Sequence, residues 1–338
     1  MKALRINDQD ILPGTVTRVE LPVANLYIHA EVSMPVHVIR GRKDGPTVFV
    51  SAAVHGDEIN GIEIIRRLIQ LKNLKITCGT LILVPMVNVY GVLNQSRYMP
   101  DRRDLNRVFP GSMKGSLAGR LANIFLNEIV AQCDYGMDLH TGAIHRSNFP
   151  QIRAKLDDEE TRKMAEAFGV PVLLHSDLLD GSLRQAAVEV NTKILLYEAG
   201  EALRFDETCI QSGLKGVVNV LAYLGMTRRP MRKRMVEPFV AYGSSWLRAG
   251  SSGIVHNLKN LGAKVSKGEV LAEIGDTFGE ISDKVCAKHD GIIIGKQNIP
   301  LVQEGDAMFH IAFYKNDEED EVAEHIENLA DDMSVPFD

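Results

Sequence analysis

The chain has few of the features that mark nucleic-acid-binding, membrane or secreted proteins. Its formal net charge is -6 and only 6% of its 338 residues are aromatic, so neither a basic surface nor a set of base-stacking side chains is expected. No apolar run approaches the roughly 18 residues of a membrane-spanning helix, and the charged segment 1–10 lacks the apolar core of a secretory signal. The basic cluster in 228–234 is interpreted as a solvated linker. We therefore predict a cytoplasmic protein with no nucleic-acid or membrane partner.

Cysteine is also scarce, and its spacing excludes one class of metal site. The four cysteines are far apart and form no Cys-x-x-Cys pair; they are Cys78, Cys133, Cys209 and Cys286. That spacing does not suit a structural zinc site, and scattered thiols are typical of a reducing compartment.

Apolar runs alternate with helical patterns over the first two thirds of the chain. This alternation predicts an α/β fold, a mixed sheet with helices on both faces, in a catalytic domain over 1–235. After about residue 235, short β-type runs separated by glycines predict a small all-β domain, sandwich-like or barrel-like, over 236–315. Residues 316–338 contain ten acidic residues and no Lys or Arg, and they are predicted to be an acidic tail.

Several elements can be placed from periodicity alone. Antiparallel strands are expected over about 15–40, other strands over 47–54, 81–85, 134–139, 170–174 and 194–197, helices over 58–71, 117–130, 159–168 and 206–224, and a long polar loop over about 88–116.

Two short motifs follow apolar runs of the predicted sheet. His55 and Glu58 come after the run 47–54, three residues apart, and His140 ends the run 134–139. Open α/β sheets bind ligands at the carboxyl ends of their strands, so these side chains are expected to meet. Two imidazoles and one carboxylate, with a fourth position open, form the ligand set of a catalytic zinc. The sequence therefore predicts one zinc ion per chain, although either motif alone is common without a metal.

Two further features lie near that predicted site. Four arginines fall within eleven residues of the polar loop; they are Arg97, Arg102, Arg103 and Arg107. Guanidinium groups match carboxylates, so this loop either recognises an anion or is held by its own salt bridges. Glu198 follows the run 194–197 and is a candidate general base and acid, with a structural ion pair as the alternative.

Four motifs together resemble the succinylglutamate desuccinylase/aspartoacylase family, a branch of the zinc carboxypeptidase-like fold. They occur in the family's order over about residues 20–315 and are His55-Gly56-Asp57-Glu58, Asp104-Leu105-Asn106-Arg107, Asp138-Leu139-His140-Thr141 and Tyr197-Glu198-Ala199-Gly200.

The resemblance implies a role for each matching residue around the metal. Glu198 would take a proton from the attacking water and deliver it to the leaving amine. Arg97 would polarise the scissile carbonyl and stabilise the oxyanion. Asp104 would orient the metal ligand His55.

Substrate-binding residues also follow from the resemblance. Asn106 and Arg107 would hold the α-carboxylate of the amino-acid part. The interval between Arg97 and Asn106 is longer than in the aspartoacylases, which leaves Arg102 or Arg103 as an alternative for the oxyanion role.

The segment 145–153 differs from the acyl pocket of the aspartoacylases. Its position just after His140 suggests that Arg146 or Arg153 contributes to the pocket for the acyl group or the side chain. The expected reaction is zinc-dependent hydrolysis of the amide bond of an N-acyl amino acid. The alternatives are a metallocarboxypeptidase acting on a small peptide and a non-catalytic metal- or ligand-binding protein. The oligomeric state stays open, with a homo-oligomer as one outcome.

Overall fold

The computed structural model describes residues 3–228 and 237–313. The basic cluster after Arg228, the predicted domain boundary near residue 235 and the acidic tail lie outside the described residues.

One sheet of thirteen strands dominates the described residues, accompanied by a two-stranded and a four-stranded sheet. The strands are β1 (Arg5–Ile6), β2 (Gln9–Asp10), β3 (Val16–Asn25), β4 (Glu31–Arg40), β5 (Lys43–Ala52), β6 (Cys78–Val84), β7 (Tyr135–Gly142), β8 (Arg146–Ala154), β9 (Val172–His175), β10 (Lys193–Glu201), β11 (Phe239–Ala241), β12 (Gly243–Arg248), β13 (Gly253–Asn257), β14 (Lys264–Val265), β15 (Val270–Gly275), β16 (Ile281–Cys286), β17 (Gly291–Gln297), β18 (Leu301–Val302) and β19 (Ala307–Phe313). The helices are α1 (Asn60–Gln70), α2 (Val89–Asn94), α3 (Leu117–Glu128), α4 (Glu159–Phe168), α5 (Leu183–Glu189) and α6 (Glu207–Tyr223), with short 3-10 helices at Leu105–Arg107 and Val130–Gln132.

The centre of the large sheet is parallel, and an antiparallel strand adjoins it on each side. Strands β10, β7, β5 and β6 lie side by side in parallel register. β8 adds antiparallel to β10, and β4 and β3 add antiparallel beyond β6. The expected mixed sheet and the antiparallel strands over 15–40 are therefore confirmed.

Each face of this sheet is covered by helices. Along β5, Phe49 belongs to the core formed with α3 and α5, whereas Val48 and Val50 belong to the core formed with α1, α4 and α6. This alternation follows from the two-residue period of a strand. Burying one such side chain contributes about 1.5–3 kcal/mol, so the two cores hold the parallel strands firmly in place.

The region from 237 onward is β structure, as expected, mostly antiparallel, but it does not stand apart from the main sheet. β13, β15, β16 and β18 form the four-stranded sheet, whereas β11, β12, β14, β17 and β19 join the large sheet. β17 pairs antiparallel with β8, which places this region beside the strands of the predicted site. The division into separate domains stays a prediction.

Three predicted boundaries shift, and each shift moves a candidate residue. α1 begins at Asn60 rather than residue 58, because a turn in which Glu58 N donates to His55 O precedes it. β7 and β10 continue beyond their apolar runs, because their pairing extends through His140 and Glu198. His140 and Glu198 therefore lie within strands rather than after them.

The expected polar loop over 88–116 contains two short helices. α2 is capped by Asn88, whose side chain accepts from Gly91 N, and the 3-10 helix is capped by Asp104, whose side chain accepts from Asn106 N. Capped helices this short carry no apolar periodicity, which is why the sequence pattern does not show them; the same holds for α5.

The helices and the cysteines of the described residues bear on two expectations from the sequence. None of the helices in 3–228 and 237–313 combines the length and apolar character needed to cross a lipid bilayer. All four cysteines are free thiols, with Cys133 and Cys209 buried and Cys286 exposed.

The turn 53–58 is packed too tightly to accept a side chain at Gly56. A Cβ atom built there would lie 2.0 Å from the carbonyl carbon of Gly91 in α2. Ala53, at the start of the turn, has a left-handed φ of 54°, so the backbone is already constrained.

We expect Gly56→Ala to lower the free energy of unfolding by about 2 kcal/mol, because overpacking forces two backbone segments apart. Urea denaturation followed by circular dichroism measures the change. Gly119→Ala is the matched control, since its Cβ atom would meet Ser116 Oγ at 3.5 Å inside α3. Equal stability of both variants would contradict the tight packing of the turn.

Candidate metal centre

The centre is built by the turn after β5 and by the neighbouring strand β7. Val87 N and Asn88 N donate to Ala52 O and Ala53 O, which fixes the path of the chain as it leaves β5. β7 lies beside β5 in parallel register and carries His140 two residues before its end. The two segments therefore face each other at the carboxyl edge of the sheet, where α/β sheets bind ligands.

The structure brings the three predicted ligand residues together. His55 Nδ1 lies 2.7 Å from Glu58 Oε1, and His140 Nδ1 lies 2.7 Å from Glu58 Oε2. One ligand atom from each residue falls within 4.8 Å of the others, and all three side chains are buried. Thr141 N also donates to Glu58 Oε2 at 3.1 Å, which fixes the carboxylate between the rings.

A carboxylate holds the outer nitrogen of each imidazole. His55 Nε2 lies 3.1 Å from Asp104 Oδ1, and His140 Nε2 lies 2.7 Å from Asp138 Oδ2. Ser51 Oγ donates to the other oxygen of Asp138 at 2.6 Å. Histidines that bind metal characteristically have such a partner on the second nitrogen, which sets ring orientation and tautomer. Two nitrogens and one carboxylate, oriented in this way, fit the donor set that zinc prefers.

Asp138 is a residue whose role sequence reasoning missed. It lies two residues before His140 in β7, and alternate residues of a strand point to the same face. The Asp-x-His spacing within a strand was therefore an available signal for this contact.

Neighbouring charges shift the pKa values of all three predicted ligands. Burial opposes ionisation of Glu58, but His55 and His140 outweigh it and hold the pKa of Glu58 below its usual range. Burial likewise opposes the charged form of His140, but Asp138 and Glu58 raise the pKa of His140 well above 6.5. The pKa of His55 is also raised, since Glu58 and Asp104 outweigh burial and the charge of Arg97. A metal that binds these nitrogens would therefore compete with protons.

Arg97 is the loop arginine that contacts the centre. Its guanidinium donates to Asp104 Oδ2 at 3.2 and 3.0 Å and to Glu58 Oε1 at 3.3 Å. Arg102 and Arg103 instead lie exposed in a turn, with Arg102 at a φ of 62° and Arg103 Nε 3.7 Å from the Asp101 carboxylate.

Asn106 and Arg107 follow Asp104 in the 3-10 helix. The side-chain oxygen of Asn106 accepts from Leu183 N at 2.9 Å, so it connects the loop to the start of α5. Arg107 Nη1 donates to Asn106 O at 2.9 Å. Both side chains are half-buried beside the centre, and their role in binding a carboxylate stays a prediction.

Glu198 is the cross-strand neighbour of His140, a predicted metal ligand. It is in register with His140 of β7, so the two side chains lie on the same face of the sheet. Its Oε2 accepts from Asn148 Nδ2 of β8 at 2.7 Å. The sequence contains no signal for Asn148, because the two residues lie far apart in the chain and β8 is not among the predicted strands.

Arg146 and Arg153 lie in β8, on the far side of Glu198 from the metal ligands. The guanidinium carbon of Arg146 lies 5.0 Å from the ring centroid of Trp246. Arg153 Nε is buried and has no hydrogen-bond partner among residues 3–228 and 237–313. Among the described residues, neither arginine forms a hydrogen bond or an ion pair with the predicted metal ligands.

Comparisons with known proteins agree with this geometry. The model of the succinylglutamate desuccinylase/aspartoacylase catalytic domain matches residues 44–224, which include the whole centre and Glu198. A curated relative, the N-alpha-acetyl-L-2,4-diaminobutyric acid deacetylase of Halomonas elongata, is 28% identical over 307 residues, 87% of this chain and 90% of that protein.

Solved structures share the fold over nearly the whole chain. The product-bound ectoine utilization protein EutE (DoeB) from Ruegeria pomeroyi has a TM-score of 0.76 at 24% identity and covers 89% of this chain and 97% of its own. A succinylglutamate desuccinylase/aspartoacylase from Rhodobacter sphaeroides has a TM-score of 0.76 at 23% identity, with coverages of 89% and 96%. Since the family model matches more than half of the residues and spans every motif of the centre, this chain belongs to the succinylglutamate desuccinylase/aspartoacylase family.

Proposed function

We propose that this protein is a zinc-dependent hydrolase that cleaves the amide bond of an N-acyl amino acid. The observation that carries the proposal is the group of His55, Glu58 and His140, with Glu198 beside it on the adjoining strand. Membership of the family and the name of the curated deacetylase support an acyl amino acid as the substrate.

His55 Nδ1, His140 Nδ1 and the Glu58 carboxylate would hold the ion. Zinc, when bound, supplies a Lewis acid that polarises the scissile carbonyl and makes water more acidic. Asp104 and Asp138 keep the two rings oriented toward the ion.

Glu198 moves the proton. It takes a proton from the attacking water and gives it to the leaving amine, so that the amine departs neutral. The bond from Asn148 Nδ2 fixes Glu198 Oε2 and leaves the other carboxylate oxygen for proton transfer.

The remaining roles rest on position around the centre. We assign oxyanion stabilisation to Arg97 rather than Arg102 or Arg103, because Arg97 alone of these three has a bond to Glu58 in the described chain. We assign the α-carboxylate to Asn106 and Arg107, which lie beside the centre on the same loop.

We also propose that the sheet is of the zinc carboxypeptidase-like type. Its support is the placement of both imidazole ligands at the carboxyl edge of two adjacent parallel strands, β5 and β7.

Replacing Glu198 with Gln should lower kcat by about two orders of magnitude or more, because the amide cannot accept the proton. Zinc content and KM should stay unchanged, since Glu198 is not a ligand in the proposed set. The assay uses zinc-loaded protein, a panel of N-acetyl and N-succinyl amino acids, and detection of the released amine.

Glu201→Gln is the matched control for this experiment. Glu201 lies in the same strand but accepts from His145 N and Asn298 Nδ2, away from the centre, so its replacement should leave kcat near the wild-type value. Full activity of Glu198→Gln would rule out the proton-transfer role, whereas zinc retained after His55→Ala or His140→Ala would rule out the metal assignment.

Asp138→Asn should weaken zinc binding above neutral pH by about 10–100-fold, since it removes the carboxylate that orients His140. It should also move acid-induced loss of zinc to lower pH. Asp138 raises the pKa of His140, so in the wild-type protein protons compete with zinc already at a pH above 6.5. Without Asp138 the ring gives up its proton more easily.

Competition with a chromogenic chelator at several pH values measures both effects. Asp157→Asn, which changes an exposed carboxylate remote from the centre, should alter neither. An Asp138→Asn protein with the wild-type pH profile would contradict the coupling.

A further inference from the structure

The two carboxylates that hold the imidazoles of the centre are themselves fixed in different ways. Asp104 accepts two hydrogen bonds from the guanidinium of Arg97, which lies in the same loop. Asp138 lies in β7, and its Oδ1 accepts from Ser51 Oγ of β5 at 2.6 Å. One imidazole is therefore oriented from a loop, whereas the other, that of His140, is oriented from within the sheet.

Ser51 occupies a central position of the large sheet. It is in register with Asp138 of β7 on one side and with Val84 of β6 on the other. Hydrogen-bonded strands on both sides fix the backbone of Ser51, and its side chain lies beside that of its register partner. The hydroxyl therefore reaches the carboxylate without any contribution from a loop.

The three side chains that this hydrogen-bonded series connects are all buried. Ser51 is 0% exposed, Asp138 is 1% exposed and His140 is 3% exposed. Within residues 3–228 and 237–313, Ser51 is the donor to Asp138 Oδ1, and no second one accompanies it. A buried acceptor that loses its donor is costly, because no water replaces the lost hydrogen bond. Without the hydroxyl, the carboxylate would be favoured to rotate toward another donor and away from the ring.

The same hydrogen bond bears on which nitrogen of His140 carries a proton. An ionised carboxylate only accepts hydrogen bonds, so Asp138 Oδ2, 2.7 Å from His140 Nε2, favours a proton on that nitrogen. A neutral ring protonated at Nε2 has its lone pair on Nδ1, the atom that lies 2.7 Å from Glu58 Oε2. That lone pair is the one that a metal between His140 and Glu58 would need.

We propose that Ser51 is a positioning residue for the metal, because it fixes the Asp138 carboxylate that sets the orientation and tautomer of His140. This inference rests on the proposed function, since it takes His140 Nδ1 to be a zinc ligand. Loss of a group that directly holds a ligand lowers metal affinity by about 10–100-fold. Ser51 acts through Asp138, so loss of its hydroxyl should have an effect near the lower end of that range.

Zinc affinity and an NMR signal of His140 test this role. Ser51→Ala removes a single oxygen atom and should weaken zinc binding by about tenfold in competition with a chromogenic chelator at neutral pH. In a proton–nitrogen correlation spectrum of the zinc-loaded protein, the Nε2 proton of His140 should move upfield, because its hydrogen bond to Asp138 is weaker. A contribution of Ser51 to stability alone would not move this signal.

A double-mutant cycle shows whether Ser51 acts through Asp138. In an Asp138→Ala background there is no carboxylate to fix, so Ser51→Ala should cause no further loss of zinc affinity. Ser244→Ala is the matched control, because Ser244 is also a buried serine in a strand and also bonds to an imidazole, that of His310. It lies in β12, at the opposite end of the large sheet, so its replacement should leave zinc affinity unchanged.

The outcomes separate this proposal from the proposed function. Wild-type zinc affinity of Ser51→Ala, an unchanged His140 signal, or a tenfold loss that persists in the Asp138→Ala background would overturn the role of Ser51 and leave the function standing. The expected effects in a protein that hydrolyses no N-acyl amino acid would overturn the function and leave the role of Ser51 standing. A wild-type protein without affinity for zinc would overturn both.

Discussion

A buried carboxylate between two buried imidazoles is the contact on which the rest of the structure depends. Glu58 offers one oxygen to His55 and the other to His140, and it comes from a turn whereas His140 comes from a strand. An isolated charge in that position would be very costly, so the turn after β5 and the register of β7 have to be right together. Asp104 and Asp138 place a further carboxylate on the outer nitrogen of each imidazole, and the guanidinium of Arg97 donates to Asp104. Ion pairs from Asp104 to His55 and from Arg97 to Glu58 thus hold the loop over 88–116 against the core.

The parts of the centre that the sequence reveals are those with a local signature. His55 and Glu58 are three residues apart after an apolar run, and His140 ends another such run, so strand prediction alone brings them to one edge. Asp104 is predicted from its position in a family motif. Arg97 lies outside the four motifs and is predicted only from the resemblance, because the backbone between the two residues has no periodicity of its own. Sequence analysis does not predict the positions of Asn148, Gln151 and His310, for a different reason. Their proximity depends on the register of β8 against β10 and β17, and cross-strand register over long sequence separations has no local pattern.

The continuous sheet brings strands of the C-terminal region next to the strand that contacts Glu198. Because β17 pairs directly with β8, His310 and Trp246 sit on the same surface as Glu198 rather than across a flexible boundary. Their distance from the centre is therefore fixed by hydrogen-bonded strands. Side chains on such rigid elements are positioned more accurately than side chains on loops.

Gly200, the last residue of the Tyr197-Glu198-Ala199-Gly200 motif, lies at a break in the register between β10 and β8. Gly200 has a φ of 82°, and a Cβ atom there would lie 2.5 Å from Asn60 Nδ2, whose amide donates to Ala199 O. This close approach accompanies a break in register between β10 and β8, where Glu198 pairs with Gln151 but Gly200 pairs with Asn148. The extra residue on β8 turns Asn148 to the same face as Gln151, so that one strand both fixes Glu198 and lines the surface beyond it. Without the irregularity, strict alternation would send Asn148 to the opposite face and leave Glu198 without its donor.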